Sequence, residues 1–213
     1  MDLQVWSDVI CPWCYIGKAR LERALEVFGG DVTVTYRAYQ LDPAPVPDPL
    51  PIRQVMAERL GDPGIADELF ARVTTMAASE DLTLDFDRAV AANTFAAHRL
   101  IAWAATQDRQ ADMLGALQRA HFTHGIDIGS LPAIADVAGS IGLDATAALT
   151  HLVSEAATIA VDTDIEEARA LGISSVPTFV IDGKYALPGA HDTATLVSAF
   201  EEIARRESAS AGL

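Results

Sequence analysis

The chain contains two cysteines, Cys11 and Cys14, and the two residues between them are Pro12 and Trp13. Two cysteines placed at random in 213 positions would have this spacing in about 1 % of arrangements. One interpretation is that both are small buried apolar side chains, because free cysteine is among the most buried residue types. The spacing and the neighbouring pattern instead favour a dithiol or disulfide redox site.

The cysteine pair lies where a strand gives way to a helix. Residues 3–9 have the pattern of a strand, and apolar side chains between residues 21 and 28 recur at helical spacing. Cys11 is therefore predicted at a helix N-terminus, where unpaired N–H groups and the positive end of the helix dipole stabilise a thiolate. We expect Cys11 to be the exposed nucleophile, with a pKa below that of free cysteine, and Cys14 to be the shielded resolving thiol.

The acidic composition restricts the partners of the chain. Its formal net charge of −15 disfavours phosphate backbones and anionic membrane surfaces. No apolar run approaches the roughly 18 residues of a membrane span, and the residues after Met1 lack the basic and apolar regions of a secretory signal. We therefore expect a cytoplasmic protein with no nucleic-acid or membrane partner, and in that compartment a CxxC is more often catalytic than structural.

Periodicity and the positions of glycine and proline predict the remaining elements. In order, these are a strand at 32–39, a proline-rich crossing at 42–51, helices between 52 and 151, a helix at 154–171, strands at 176–181 and 185–187 joined by Asp182-Gly183, and a final helix containing Leu196, Phe200 and Ile203. Without the middle helices the order is βαβ followed by ββα, as in the thioredoxin fold. We predict an α/β chain with a thioredoxin-like domain at 1–42 and 154–213, interrupted by an all-helical insertion domain at 43–153.

Three stretches of the sequence resemble the DsbA-like thioredoxin family, and within it the FrnE-like branch of cytoplasmic disulfide oxidoreductases. They are residues 7–18, 93–100 and 172–179. The resemblance implies that Cys11 is the nucleophile and Cys14 the resolving thiol. It also implies a cis peptide bond between Val176 and Pro177.

Four residues are predicted to contact substrate, Val176 and Pro177 from the resemblance and Pro12 and Trp13 from their positions beside Cys11. The backbone of Val176, beside Pro177, would pair with an extended polypeptide or with glutathione by strand addition. Pro12 suits the first turn of the helix, and Trp13 offers an apolar contact for a peptide.

Two classes of function remain open. The first is a thiol-disulfide oxidoreductase or isomerase that acts on protein thiols, protein disulfides or glutathione, in a direction that depends on its reduction potential. The second is a glutathione-dependent isomerase or transferase acting on a small molecule, similar to the kappa-class transferases and the hydroxychromene-carboxylate isomerases, in which serine replaces the first cysteine. The intact pair favours the first class. We expect no tightly bound cofactor, glutathione only as a co-substrate, and a homodimer as one candidate assembly because related chains often pair.

The histidines do not predict a metal site. A structural zinc ion needs four ligands, and His121 and His124 are separated by two residues rather than the usual three to five. We expect both on the surface or between domains. His98 is expected in the core, with substrate contact as the alternative, and His191 has no predicted role.

Overall fold

Four strands and nine helices make up the part of the chain that a computed structural model describes, which is residues 1–46, 48–154 and 156–210. Residues 211–213, at the end of the predicted second segment of the thioredoxin-like domain, lie outside these. The elements are β1 (Asp2–Ser7), α1 (Pro12–Phe28), β2 (Thr33–Ala38), α2 (Ile52–Leu60), α3 (Pro63–Ala78), α4 (Phe95–Ala105), α5 (Gln110–Phe122), α6 (Leu131–Ser140), α7 (Ala145–Val153), α8 (Thr158–Ala170), β3 (Thr178–Ile181), β4 (Tyr185–Pro188) and α9 (Thr193–Ser210).

One sheet contains all four strands, in the order β2-β1-β3-β4. The first strand pairs with β2 in parallel and with β3 antiparallel, and β3 pairs with β4 antiparallel. The predicted α/β order βαβ…ββα, interrupted by helices, is therefore confirmed. The domain boundaries at residues 43 and 154 stay a prediction.

The two faces of the sheet pack in different clusters, because successive side chains of a strand point to opposite sides. Leu3 and Val5 of β1 share a cluster with Phe200 of α9. Trp6 of the same strand lies with Ala168 of α8 and with both cysteines. The cysteine pair therefore stands on the face of the sheet that α8 covers.

Helices α2 and α3 build a separate apolar cluster above the beginning of α1. This cluster joins Phe70 of α3 and Phe122 of α5 to Tyr15 and Ile16 of α1. Glu80, just after α3, ties the same region to α1, since its carboxylate accepts hydrogen bonds from Arg20 and Arg23. The inserted helices are thus held against the helix that carries the cysteines.

The hairpin predicted at Asp182-Gly183 is confirmed. Both residues have positive φ angles, of 50° and 64°, as a primed turn requires. The N–H of Lys184 donates to the carbonyl of Ile181 at 3.0 Å. The strand that enters the turn begins at Thr178 rather than at Val176, because Pro177 has no N–H to donate to a strand partner.

The predicted helix at 154–171 is wrong at its beginning. Ser154 is extended at the end of α7, and α8 starts only at Thr158, after Ala157 with a φ of 61°. The guanidinium of Arg99 donates hydrogen bonds to the carbonyls of Ser154 and Ala156. A side chain distant in sequence therefore binds backbone carbonyls of the segment between α7 and α8. Glu155, inside the predicted helix, lies outside the described residues.

No helix in the described ranges has the length and apolar content that crossing a membrane requires.

Candidate functional site

Cys11 occupies the N-cap of α1, as the sequence predicts. Its backbone is extended, with φ −87° and ψ 112°, and Pro12 is the first helical residue. The N–H groups of Cys14 and Tyr15 donate to the Cys11 carbonyl at 3.0 and 3.2 Å. These bonds begin the helix at Cys11, so its side chain lies at the helix N-terminus, where the positive end of the helix dipole favours an anion.

The two thiols have opposite protonation preferences. A hydrogen bond from the Cys14 thiol lowers the pKa of Cys11, and the N–H groups of Cys14 and Trp13 act in the same direction against burial and the charge of Asp8. Burial raises the pKa of Cys14 well above its ordinary value, and its interaction with Cys11 adds to this. The arrangement therefore places the thiolate on Cys11 and keeps the proton on Cys14.

The expectation of an exposed nucleophile is wrong. Cys11 is only 5 % exposed, and Cys14 is 2 % exposed. Cys11 lines a cavity of about 470 Å³ whose walls include Val55 of α2, Val73 of α3 and Ser175 before β3. These distant elements cover the helix N-terminus, so Cys11 faces the cavity rather than the open surface.

Val176 and Pro177 lie against the cysteine pair. The peptide bond between them is cis, as the family resemblance implies. The Cys11 sulfur lies 3.7 Å from the Val176 carbonyl oxygen, which accepts a hydrogen bond from the thiol when Cys11 is protonated. Pro177 also packs on α1, where a Cβ atom added to Gly17 would stand 2.9 Å from the Pro177 Cγ. Only a residue without a side chain allows this approach.

The other two predicted substrate contacts also lie at the cavity. Pro12 and Trp13 both line it, and Trp13 is 36 % exposed. With Cys11 and Val176, the structure therefore brings four of the six predicted site residues to one cavity wall. Cys14 lies behind them, fully covered.

Of the two positions expected for His121, the surface is wrong. The side chain is 1 % exposed and lines the cavity together with residues of both predicted domains, which fits the expectation of a position between domains. Burial lowers the pKa of His121 to about 4, against an opposing effect of the charge on Asp8. Its Nδ1 atom is buried with no hydrogen-bond partner among the described residues. The helical spacing of Leu114 and Leu117 to His121 is the signal that marks this buried face of α5.

Asp8 and His98 form a buried pair beside the cysteines. The His98 Nε2 atom is 3.3 Å from Asp8 Oδ1 and 3.0 Å from the Tyr39 carbonyl. The other Asp8 oxygen accepts the N–H of Leu41 at 2.8 Å. His98 is thus the hydrogen-bonded core residue that the sequence predicts, whereas the position of Asp8, three residues before Cys11, was not singled out.

The other two histidines stay outside this arrangement. His124 is exposed, as predicted, and His191 is half-buried after Gly189. Across residues 1–46, 48–154 and 156–210, no group of three or more His, Cys, Asp or Glu side chains is placed to hold a metal ion.

A family model described as a DsbA-like thioredoxin domain matches residues 2–201. The chain belongs to this family. Its DsbA-like fold is also found in the probable DsbA oxidoreductase SCO1869 from Streptomyces coelicolor, which is 31 % identical with a TM-score of 0.89, over 95 % of this chain and 89 % of the other. The uncharacterized protein YwbO of Bacillus subtilis is 28 % identical over 89 % of this chain and 90 % of its own length.

Two more distant structures share the fold of this DsbA-like chain. The cytosolic disulfide reductase DsbM from Pseudomonas aeruginosa, solved with GSH, is 21 % identical with a TM-score of 0.66, over 97 % of this chain and all of the other. A 2-hydroxychromene-2-carboxylate isomerase is 20 % identical with a TM-score of 0.71, over 98 % of each chain. At this identity the likeness concerns the fold alone.

Proposed function

We propose that this protein is a thiol-disulfide oxidoreductase that uses Cys11 and Cys14 as its redox pair. The observation that carries the proposal is the opposite shift of the two pKa values at a helix N-terminus, lowered for Cys11 and raised for Cys14. A nucleophilic thiolate beside a protonated partner is the state that thiol-disulfide exchange requires.

In the reducing direction the reaction has two steps. The Cys11 thiolate attacks one sulfur of a substrate disulfide, a Cys11–substrate disulfide forms, and the other substrate sulfur leaves as a thiolate that takes up a proton. Cys14 then loses its proton and attacks the Cys11 sulfur, which forms the Cys11–Cys14 disulfide and releases the second substrate thiol. The substrate gains two electrons and two protons; the protein supplies both electrons and the Cys14 proton, and the solvent supplies the other proton. The reverse sequence delivers a disulfide.

The residues around the pair suit a substrate that lies across it. In this proposal the Val176 backbone and Pro177 position the substrate chain next to Cys11, and Trp13 and Pro12 contact its side chains. The partners are protein thiols and disulfides, or glutathione. A cytoplasmic location agrees with the name of the DsbM reductase, which calls that protein cytosolic.

A second candidate is a glutathione-dependent isomerase or transferase. The observation that favours it is the cavity of about 470 Å³ at Cys11, which lies in the size range of small-molecule sites. In this case Cys11 would interact with a bound glutathione and would not cycle between a dithiol and a disulfide with Cys14. Tight glutathione binding without formation of an internal disulfide would support it.

Equilibration in glutathione buffers of graded ratio distinguishes the two candidates. Alkylation followed by mass measurement reads the oxidised fraction of Cys11 and Cys14. The oxidoreductase should show one transition to an internal disulfide. The midpoint reduction potential should lie at about −270 mV for a reductase, or between about −180 and −120 mV for an isomerase or oxidant. Glutathione attached to Cys11 with no internal disulfide would favour the second candidate.

Two matched variants test the assignment of roles. Cys14→Ser should accumulate mixed disulfides on Cys11, because the resolving thiol is missing. Cys11→Ser, the same change three positions earlier, should form none and should lose exchange activity. Full exchange activity in Cys11→Ser would overturn the proposal.

A further inference from the structure

Arg20 lies on the helix that carries both cysteines, and its guanidinium contacts three separate segments. Its Nε donates to Glu80 Oε1 at 2.6 Å, and its Nη2 donates to the Met76 sulfur at 2.9 Å. Its Nη1 donates to the carbonyl oxygen of Ala190 at 2.7 Å. The side chain is largely buried, and the donors of a guanidinium point in fixed directions. Arg20 therefore joins α3 and the residue after it, and the segment between β4 and α9, to α1.

Ala190 belongs to the segment that holds Pro177. The N–H of Gly189 donates to the Pro177 carbonyl at 2.7 Å. Ala190 itself lies against α1, because a Cβ atom added to Gly17 would stand 3.6 Å from the Ala190 Cβ and 2.9 Å from the Pro177 Cγ. Helix α1 therefore holds the chain around Pro177 at two points, by packing at Gly17 and by the hydrogen bond from Arg20.

This support bears on the proposed substrate contact. Val176 precedes Pro177, and its carbonyl oxygen is 3.7 Å from the Cys11 sulfur. In the proposed function a substrate chain pairs with the Val176 backbone while Cys11 attacks its disulfide. The reacting atoms must then lie about 3–3.5 Å apart, and a misplacement of about 1 Å can cost about 100-fold in rate. The place of Val176 relative to Cys11 therefore matters for the rate.

We propose that Arg20 is a positioning residue that keeps Val176 in place relative to Cys11. Its hydrogen bond to Ala190 acts on the neighbouring backbone, and Glu80 orients the guanidinium that donates this bond. The inserted helices thus contribute, through one side chain, to the place at which a substrate chain binds. The inference rests on the proposed function, because it concerns the substrate that Cys11 attacks.

Arg20 should act on the bound substrate chain and leave the thiolate unchanged. The pKa of Cys11 is lowered by Cys14 and Trp13, and it is raised by burial and by Asp8. These groups lie in the first turn of α1 or just before it, more than one helical turn from Arg20. A disulfide too small to pair with Val176 should therefore react equally fast with the wild type and with an Arg20 variant, whereas a disulfide within an extended peptide should not.

Two matched variants test this difference. Arg20→Gln removes the hydrogen bond to Ala190. Arg23→Gln makes the same change one turn later, at a second arginine of α1 that also binds Glu80 but is bonded otherwise only to Glu80 and Asp81. Circular dichroism verifies folding. Arg20→Lys, which keeps the charge but lacks the planar fork of donors, replaces Arg20→Gln if the latter is unfolded.

The two substrates differ only in the peptide. One is an extended peptide whose single cysteine forms a disulfide with 2-mercaptoethanol, and the other is bis(2-hydroxyethyl) disulfide. In Arg20→Gln we expect kcat/KM for the peptide to fall about tenfold, with the small disulfide and the alkylation rate of Cys11 unchanged within about twofold. Arg23→Gln should leave the ratio of the two substrates unchanged.

Three results would overturn the inference. They are an unchanged ratio of the two substrates in Arg20→Gln, an equal loss with both substrates, and the same change of ratio in Arg23→Gln. The proposed function would survive each of them, because the wild type still exchanges disulfides. A wild type that exchanges with neither substrate would overturn the proposed function as well.

Hydrogen exchange of backbone amides, measured by NMR, tests the support without a substrate. Arg20→Gln should raise the exchange rate of the Gly189 amide at least about tenfold, because a hydrogen bond from a charged donor holds its segment closed. The Lys184 amide, which donates to the Ile181 carbonyl in the turn between β3 and β4, is the internal reference and should not change. An unchanged rate at Gly189 in the folded variant would overturn the inference.

Discussion

His121 should make the protein sensitive to acid. The folded protein holds this imidazole neutral in the interior and lowers its pKa from 6.5 to about 4. An unfolded chain exposes the ring, which then binds a proton at its ordinary pKa. Between these two pKa values the unfolded state binds more protons than the folded state, so the free energy of unfolding falls as the pH falls.

The size of this effect follows from the pKa change. Each pKa unit corresponds to about 1.36 kcal/mol, so lowering the pKa from 6.5 to about 4 stabilises the folded protein at neutral pH by about 3 kcal/mol relative to a pH below both values. Between pH 7 and pH 4.5 about 2 kcal/mol of this is lost. His121 is 1 % exposed, so solvent screening reduces the figure little.

Urea unfolding at pH 7 and at pH 4.5 measures the effect. Carboxylates also contribute to the total pH dependence, so the test is a comparison with His121→Leu, in which the drop in free energy of unfolding should be smaller by about 2 kcal/mol. His124→Leu is the matched control, because His124 is exposed and lies three residues away. Equal pH dependence in the wild type and in His121→Leu would refute a buried neutral imidazole at this position.

Three further perturbations test the site and its supports. Gly17→Ala should lower the free energy of unfolding by about 1 kcal/mol in urea titrations, because overpacking against Pro177 at about 1–3 kcal/mol outweighs the helix propensity of alanine; an increase in stability would contradict the close approach. Glu80→Gln should cost about 3 kcal/mol in the same assay, since it leaves the largely buried Arg20 without its carboxylate, and a negligible change would show that this pair is not structural. Alkylation of Cys11 by iodoacetamide, followed by mass, should stay fast at a lower pH than that of an ordinary cysteine, because its pKa is lowered; the profile of an ordinary thiol would argue against a stabilised thiolate.

Local signals in the sequence were sufficient for the order of elements. The strand before Cys11, the proline in the first turn and the Asp182-Gly183 turn depend on neighbouring residues, and each is present in the structure. The beginning of α8 could not be predicted in this way. It depends on hydrogen bonds from Arg99, more than fifty residues earlier in the chain.

Some features of the candidate site could likewise be predicted from neighbouring residues, and others depend on distant segments. The position of Cys11 at the helix N-terminus and the covered position of Cys14 follow from spacing within one helical turn. The burial of Cys11 does not, because its cover comes from α2, α3 and the segment before β3. His121 is buried rather than at the surface because it lies on the apolar face of α5, next to the cavity.

By itself, the sequence determined the thioredoxin-like order of elements, the cysteine pair at the first strand-to-helix junction and the acidic surface, because these depend on residues that are close along the chain. Only the tertiary structure decided that Cys11 is buried in the wall of an apolar cavity, with a neutral histidine in the same wall. These features require segments separated by more than a hundred residues to pack together, and local periodicity carries no information about such contacts.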